Sequence, residues 1–230
     1  MEQLLSEIGI SPEVSRLFTE AEQNLGEVFS RIDQTVQYNT ARVLKAFWDH
    51  GVSEAHFGTS TGYGYDDLGR ETLDRIFAQV FGGEDALVRH SLVSGTHALA
   101  LCLYGLLRPG DTMLSAAGKP YDTLEEVIGI SGDGRGSLRE LGISYRQVEL
   151  TPEGKLDIPG VLAQLDDSVK LVWVQKSKGY GWRDSLSCRE IGRLCSAVKE
   201  RKPDCICVVD NCYGEFVERQ EPLHTGADLI

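Results

Sequence analysis

Between Glu71 and Val209 the chain switches repeatedly between helical apolar spacing and short β-rich runs, and this alternation limits the fold more than any other feature. The spacing predicts a helix to about Phe81, an extended segment over Ala86–Val93 and a helix over Thr96–Leu107 stopped by Arg-Pro-Gly. Asp111–Ala116, Ser144–Leu150, Val169–Val174 and Cys205–Val209 then read as strands. Tyr121–Ile128, Ile158–Leu165 and Cys188–Arg201 read as the helices between them. Helical crossovers join parallel strands, whereas hairpins need only a tight turn. The expected class is therefore α/β, a mainly parallel sheet with helices on both faces.

Before that region, Ser11-Pro12 has the form of an N-cap followed by proline at the first helical position, and two helices should fill the first fifty residues. Val28, Phe29, Ile32, Val36, Val43, Leu44 and Phe47 fall mostly on one stripe of the second. Residues 1–56 are expected as a helical segment and residues 57–230 as the α/β domain. Residues 58–69, Gly-Thr-Ser-Thr-Gly-Tyr-Gly-Tyr-Asp-Asp-Leu-Gly, are too glycine-rich for a helix or regular strand and form a loop.

Composition removes several function classes. Lys+Arg 23 against Asp+Glu 35 gives a net charge of −12, and no basic run offers the clustered cations that phosphate backbones require. No nucleic-acid partner is expected. The longest apolar stretch, Ala98–Leu107, is about half the ~20 residues that span a bilayer, and Met1-Glu2-Gln3 lacks the regions of a signal peptide. The expected setting is cytoplasmic, without a membrane. Six cysteines without a C-x-x-C pair read as reduced, packed thiols, and Cys207, Cys212 and His224 match no zinc template, so no metal is expected.

In open α/β sheets ligands sit beyond the carboxyl ends of the strands, and three such places carry chemistry. Ser94-Gly95-Thr96-His97 lies between an extended segment and a helix, where small residues, free amides and the helix dipole make a phosphate seat or an ordinary capped turn. Cys205–Asn211 is an apolar run ending abruptly in Asp210-Asn211. A carboxylate there is solvated, metal-bound or paired with a cation such as a protonated heterocyclic nitrogen. Gly118–Thr123 places the ring of Tyr121 near the same edge, either stacked on a flat ligand or packed. No complete G-x-G-x-x-G, G-K-[ST] or G-x-S-x-G occurs, so Gly62-Tyr-Gly64 and Gly132–Gly136 are not nucleotide loops, and a nicotinamide oxidoreductase or serine hydrolase is disfavoured.

A phosphate seat, a stacking ring and an aspartate after a later strand occur here in the order used by fold-type-I enzymes of pyridoxal 5′-phosphate. The chain resembles the aluminium-resistance or methionine gamma-lyase family, relatives of the cystathionine lyases. Phe57–Arg70, Arg89–Ala98, Lys119–Leu124, Val174–Arg183 and Val209–Phe216 carry the resemblance. It implies the aspartate aminotransferase type of large domain, with Ser94, Gly95 and Thr96 at the cofactor phosphate, Tyr121 on the pyridine ring and Asp210 on its nitrogen. Asn211 would hold the aspartate or the ring hydroxyl. It further implies a homodimer or homotetramer in which Tyr63, Tyr65 and Arg70 reach the neighbouring subunit's site.

The family's Schiff-base lysine follows a segment like Gly226–Ile230, so it is expected after Ile230, and the large domain is expected to be incomplete at its C-terminus. Lys176 and Lys178 also end a strand, but they precede Asp210, whereas the family's lysine follows it. They stand where the resemblance leads one to expect arginines. The implied function is the N-terminal part of a carbon–sulfur lyase acting by β- or γ-elimination on a small sulfur-containing amino acid, with these 230 residues inactive alone. The alternative is a catalytically inactive scaffold that keeps the fold.

Overall fold

A computed structural model describes residues 2–61, 63, 65 and 67–230. The chain divides into two compact units, Met1–Arg42 and Val43–Ile230.

The first unit is helical. α1 (Glu2–Glu7) precedes α2 (Pro12–Asn24), and α3 (Gly26–Asp49) starts in this unit and ends in the second. Ser11 caps α2 by accepting the Val14 N–H at 3.3 Å, with Pro12 just inside, where its missing N–H leaves no acceptor unsatisfied. The sequence predicts two helices here and the structure has three, because Gly9 at φ 83° lets the chain turn between α1 and α2.

The second unit contains α4 (Leu68–Phe81), α5 (Gly95–Leu106), β1 (Thr112–Ser115), α6 (Asp122–Ile128), β2 (Ser144–Gln147), α7 (Ile158–Ala163), β3 (Val169–Gln175), α8 (Cys188–Arg201) and β4 (Ile206–Asp210). The strands form one sheet in the order β2-β1-β3-β4, and every pairing is parallel. After β4, Leu229 makes an isolated parallel bridge to Val208.

Strand side chains alternate between faces, and here both faces are covered. Met113, Leu171, Trp173 and Val208 pack with Leu103 of α5 and Leu124 and Ile128 of α6. Their neighbours Leu114, Val172, Val174, Cys207 and Val209 pack on the opposite face with Val161 of α7 and Ile191, Leu194 and Val198 of α8. Each such aliphatic side chain contributes about 1.5–3 kcal/mol on burial. That is why these strands read as continuous apolar runs rather than as alternating ones.

α8 is fixed at its start by a reciprocal cap. Ser187 Oγ accepts the Glu190 N–H at 3.2 Å, and the Glu190 carboxylate accepts the Ser187 N–H at 2.9 Å. Ser187→Ala should cost about 1 kcal/mol, measured as a lower urea midpoint with an unchanged denaturant slope.

The predicted extended segment Ala86–Val93 joins no sheet. Asp74 on α4 accepts the Val88 N–H at 2.8 Å and holds Arg89 Nη1 at 2.7 and 2.8 Å. A side chain therefore supplies the partner that a neighbouring strand would have given, and the segment delivers Ser94 to the start of α5. Gly62, Gly64 and Asp66 of the glycine-rich loop lie outside the described residues. No described helix is long and apolar enough to cross a membrane.

Candidate functional site

The three places singled out in the sequence meet at the carboxyl edge of the sheet. Ser94 is extended at φ −159° and ψ 162°, and its hydroxyl accepts the His97 N–H at 3.1 Å, which leaves the first amides of α5 directed outward. A Cβ on Gly95 would meet nothing within 4 Å, so space lies open beside those amides. Thr96 Oγ1 donates to Thr123 Oγ1 at 2.8 Å, tying the start of α5 to the start of α6.

Tyr121 is the residue before α6 and is 36% exposed. Its N–H donates to Gln175 Oε1 at 2.7 Å. Gln175 ends β3 and stands in register with Asp210, the last residue of β4. One continuous chain of contacts thus runs from the Thr96 side chain at the start of α5 through Thr123, Tyr121 and Gln175 to Asp210.

Asp210 is 8% exposed and accepts the Cys212 N–H at 3.1 Å. Burial raises its carboxyl above the ordinary 3.8, with Glu215 adding repulsion against the opposing Cys212 hydrogen bond. Among the described residues no cationic side chain pairs with it. Asn211 is buried too: its Nδ2 donates to Glu221 Oε2 at 3.1 Å, and its Oδ1 has no partner. Gly214 closes the turn because a Cβ there would overlap Asn211 Oδ1 and stand 2.8 Å from Lys176 Cδ.

Lys176 follows β3 and is 3% exposed, and its Nζ lies 3.0 Å from Glu218 Oε1 and 3.3 Å from Cys188 Sγ. Burial pulls its ammonium down, but the Glu218 hydrogen bond and charge outweigh this and hold it above 10.5. Burial likewise pushes Glu218 up, and the Cys188 N–H together with Lys176 brings it below 4.5. Burial pushes the Cys188 thiol up to about 11, so it is no nucleophile at neutral pH. Lys176 is committed to this pair.

Tyr63 and Tyr65 are exposed. Arg70 Nε lies 3.4 Å from Asp67 Oδ2. All six cysteines are free, Cys212 is exposed, and among the described residues no three His, Cys, Asp or Glu side chains converge as a metal site.

Sequence reasoning missed Gln175, Thr123, Tyr180 and Glu218. Gln175 was detectable by the rule that found Asp210, since both are polar residues closing an apolar run. Thr123 lies within the flagged Gly118–Thr123 segment, but its role, like that of Glu218, was not legible because their partners lie 27 and 42 positions earlier in the chain.

Free amides at a helix start, a partly exposed ring and a buried carboxylate without a cation suit a ligand with an anionic end and a flat protonated heterocycle. On a parallel α/β sheet of this kind they mark the carboxyl edge as a candidate site for a phosphate-bearing ligand. The chain belongs to the methionine gamma-lyase family, whose pattern matches residues 14–230.

It is 48% identical over 212 residues to the Bacillus subtilis protein YnbB, covering 92% of this chain and 50% of that protein. A carbon-sulfur lyase involved in aluminum resistance from Clostridium novyi NT superposes with a TM-score of 0.94 at 44% identity, over 99% of this chain and 55% of the other. The L-methionine gamma-lyase of Pseudomonas putida is 26% identical over 200 residues, 84% of this chain and 44% of that enzyme. The chain spans about half the length of these relatives.

Proposed function

We propose that the chain is the cofactor-holding part of a pyridoxal 5′-phosphate-dependent carbon–sulfur lyase that acts in the cytoplasm on a small sulfur-containing amino acid by β- or γ-elimination. The observation that carries this reading is the linkage of the α5 amides, Tyr121 and Asp210 at one sheet edge. The names of the relatives support the lyase class.

In this reading the Gly95 and Thr96 N–H groups bind the phosphate, helped by the dipole of α5, while the Ser94 cap keeps them aimed outward. Tyr121 covers one face of the ring. Asp210 pairs with the pyridine nitrogen and keeps it protonated, which its burial favours because a low-dielectric carboxylate binds a nearby cation strongly. Asn211, with its free Oδ1, stands beside Asp210 and braces that turn through Glu221. The bound cofactor supplies an electron sink for the pair left at the substrate Cα when its proton departs. Exposed Tyr63 and Tyr65, with Arg70, would serve the neighbouring subunit's site in a homodimer or homotetramer.

Pyridoxine 5′-phosphate is the cleaner probe, because it has no aldehyde to label surface lysines. Gly95→Pro removes one phosphate donor while keeping the helix, since proline suits the first helical position, Ser94 is already extended and an added Cβ meets open space. Affinity for the probe should fall about tenfold, the loss of one charge-assisted hydrogen bond, with helicity by circular dichroism unchanged. Equal affinity in both chains would remove the phosphate seat.

A further inference from the structure

The turn after β3, residues 176–183, is fastened beside Tyr121. Gln175 uses both ends of its amide: Oε1 accepts the Tyr121 N–H at 2.7 Å and Nε2 donates to the Ser177 carbonyl at 3.4 Å. Arg183 Nη2 donates to the same carbonyl at 2.6 Å. Gly179, at φ 55°, brings the backbone close, since a Cβ there would stand 3.4 Å from Gln175 Nε2 and 3.8 Å from Tyr121 Cδ2.

The result is a pair of rings. Tyr121 and Tyr180 have centroids 5.9 Å apart with planes at 34°, and the Tyr121 hydroxyl donates to the Tyr180 hydroxyl at 3.2 Å. Tyr180 is 88% exposed, so core packing does not account for its placement.

We propose that Tyr180 is a positioning residue that fixes the plane of the Tyr121 ring by accepting a hydrogen bond from its phenol, so that the phenolic proton is directed at the turn. The inference rests on the reading of Tyr121 as the ring that faces the cofactor. It adds a residue and a constraint to that reading, since an unpaired tyrosine at the same place could rotate off the ligand and would lose its proton more readily.

The groups facing the Tyr121 phenol agree in sign. The Tyr180 hydrogen bond, ahead of burial, pushes it up to about 12, and Asp122 on α6 and Tyr213 on the turn after β4 add to the same direction.

The test is a ¹⁹F NMR pH titration of the chain labelled with 3-fluorotyrosine, with the Tyr121 resonance assigned from Tyr121→Phe. Tyr180→Phe should lower the Tyr121 midpoint by about one pH unit, the equivalent of one hydrogen bond, and Tyr180→Ala should lower it similarly. Loss of an exposed ring alone would not move that midpoint, so an unchanged value in Tyr180→Phe overturns the proposal. A lowered midpoint in a chain that binds no pyridoxine 5′-phosphate supports the role of Tyr180 and overturns the cofactor reading instead.

Discussion

Asp210→Asn should weaken binding of pyridoxine 5′-phosphate by about a hundredfold, the upper range for one charge-assisted hydrogen bond, while making the ligand-free chain more stable at neutral pH. Both effects have one cause, a carboxylate buried at 8% exposure with no cation beside it among the described residues. Because its pKa in the folded chain is raised above 3.8, the folded state holds the Asp210 proton more tightly than the unfolded state does. The stability this contributes is present below 3.8 and is lost as pH rises through the folded value.

Asparagine cannot ionise, so it removes that penalty and flattens the pH dependence across the same window. Urea unfolding at mildly acidic and neutral pH measures the stability arm, and fluorescence titration measures the binding arm. A side chain that destabilises the empty chain and is needed for the ligand fits a site shaped for binding rather than for folding. Reduced stability of Asp210→Asn at neutral pH would show that the carboxylate already has a compensating partner in the empty chain.

Lys176→Met should have the opposite profile, with a large loss of stability and the phosphate seat left intact. The substitution leaves Glu218 facing Cys188 without its ammonium, 3.0 Å away in the native chain. Breaking a fully buried ion pair costs about 3–5 kcal/mol. The Glu218 side chain is 34% exposed and can recruit water, so about 2 kcal/mol is expected here.

The pH signs follow from the two shifts. Lys176, raised above 10.5, contributes stability at all pH below 10.5 that disappears as pH climbs through its folded value. Glu218, lowered below 4.5, contributes stability above 4.5 that disappears as pH falls through its folded value. Adding Glu218→Gln to Lys176→Met should recover part of the loss, and a double-mutant cycle reads that coupling directly. Additive costs would mean that the pair contributes nothing beyond its separate side chains.

Much of the fold was legible in the sequence because its code is local. Leu171–Val174 and Cys205–Val209 are apolar at every position, and burial of both sheet faces is what such runs require. Ala86–Val93 misled for the complementary reason: its residues suit an extended backbone, but strand formation needs a neighbour, and Asp74 took the hydrogen bonds first.

At the site, Ser94, Gly95, Tyr121 and Asp210 were legible because each sits just past a predictable strand or extended segment. What joins them was not, since Gln175 reaches Tyr121 across 54 residues and Tyr180 reaches it across 59. Lys176 precedes Asp210 and so does not stand where the family's lysine does, but its pairing with Glu218 was not legible, since the partner lies far along the chain.

The central claim is that the α5 amides, Tyr121 and Asp210 form one binding site. It is tested most directly by titrating pyridoxine 5′-phosphate into the chain, Gly95→Pro, Asp210→Asn and the double variant. The account predicts saturable binding at one site per chain, weakened by each substitution and weakest in the double variant. Binding that ignores both substitutions, or no saturable binding by the unsubstituted chain, would contradict it.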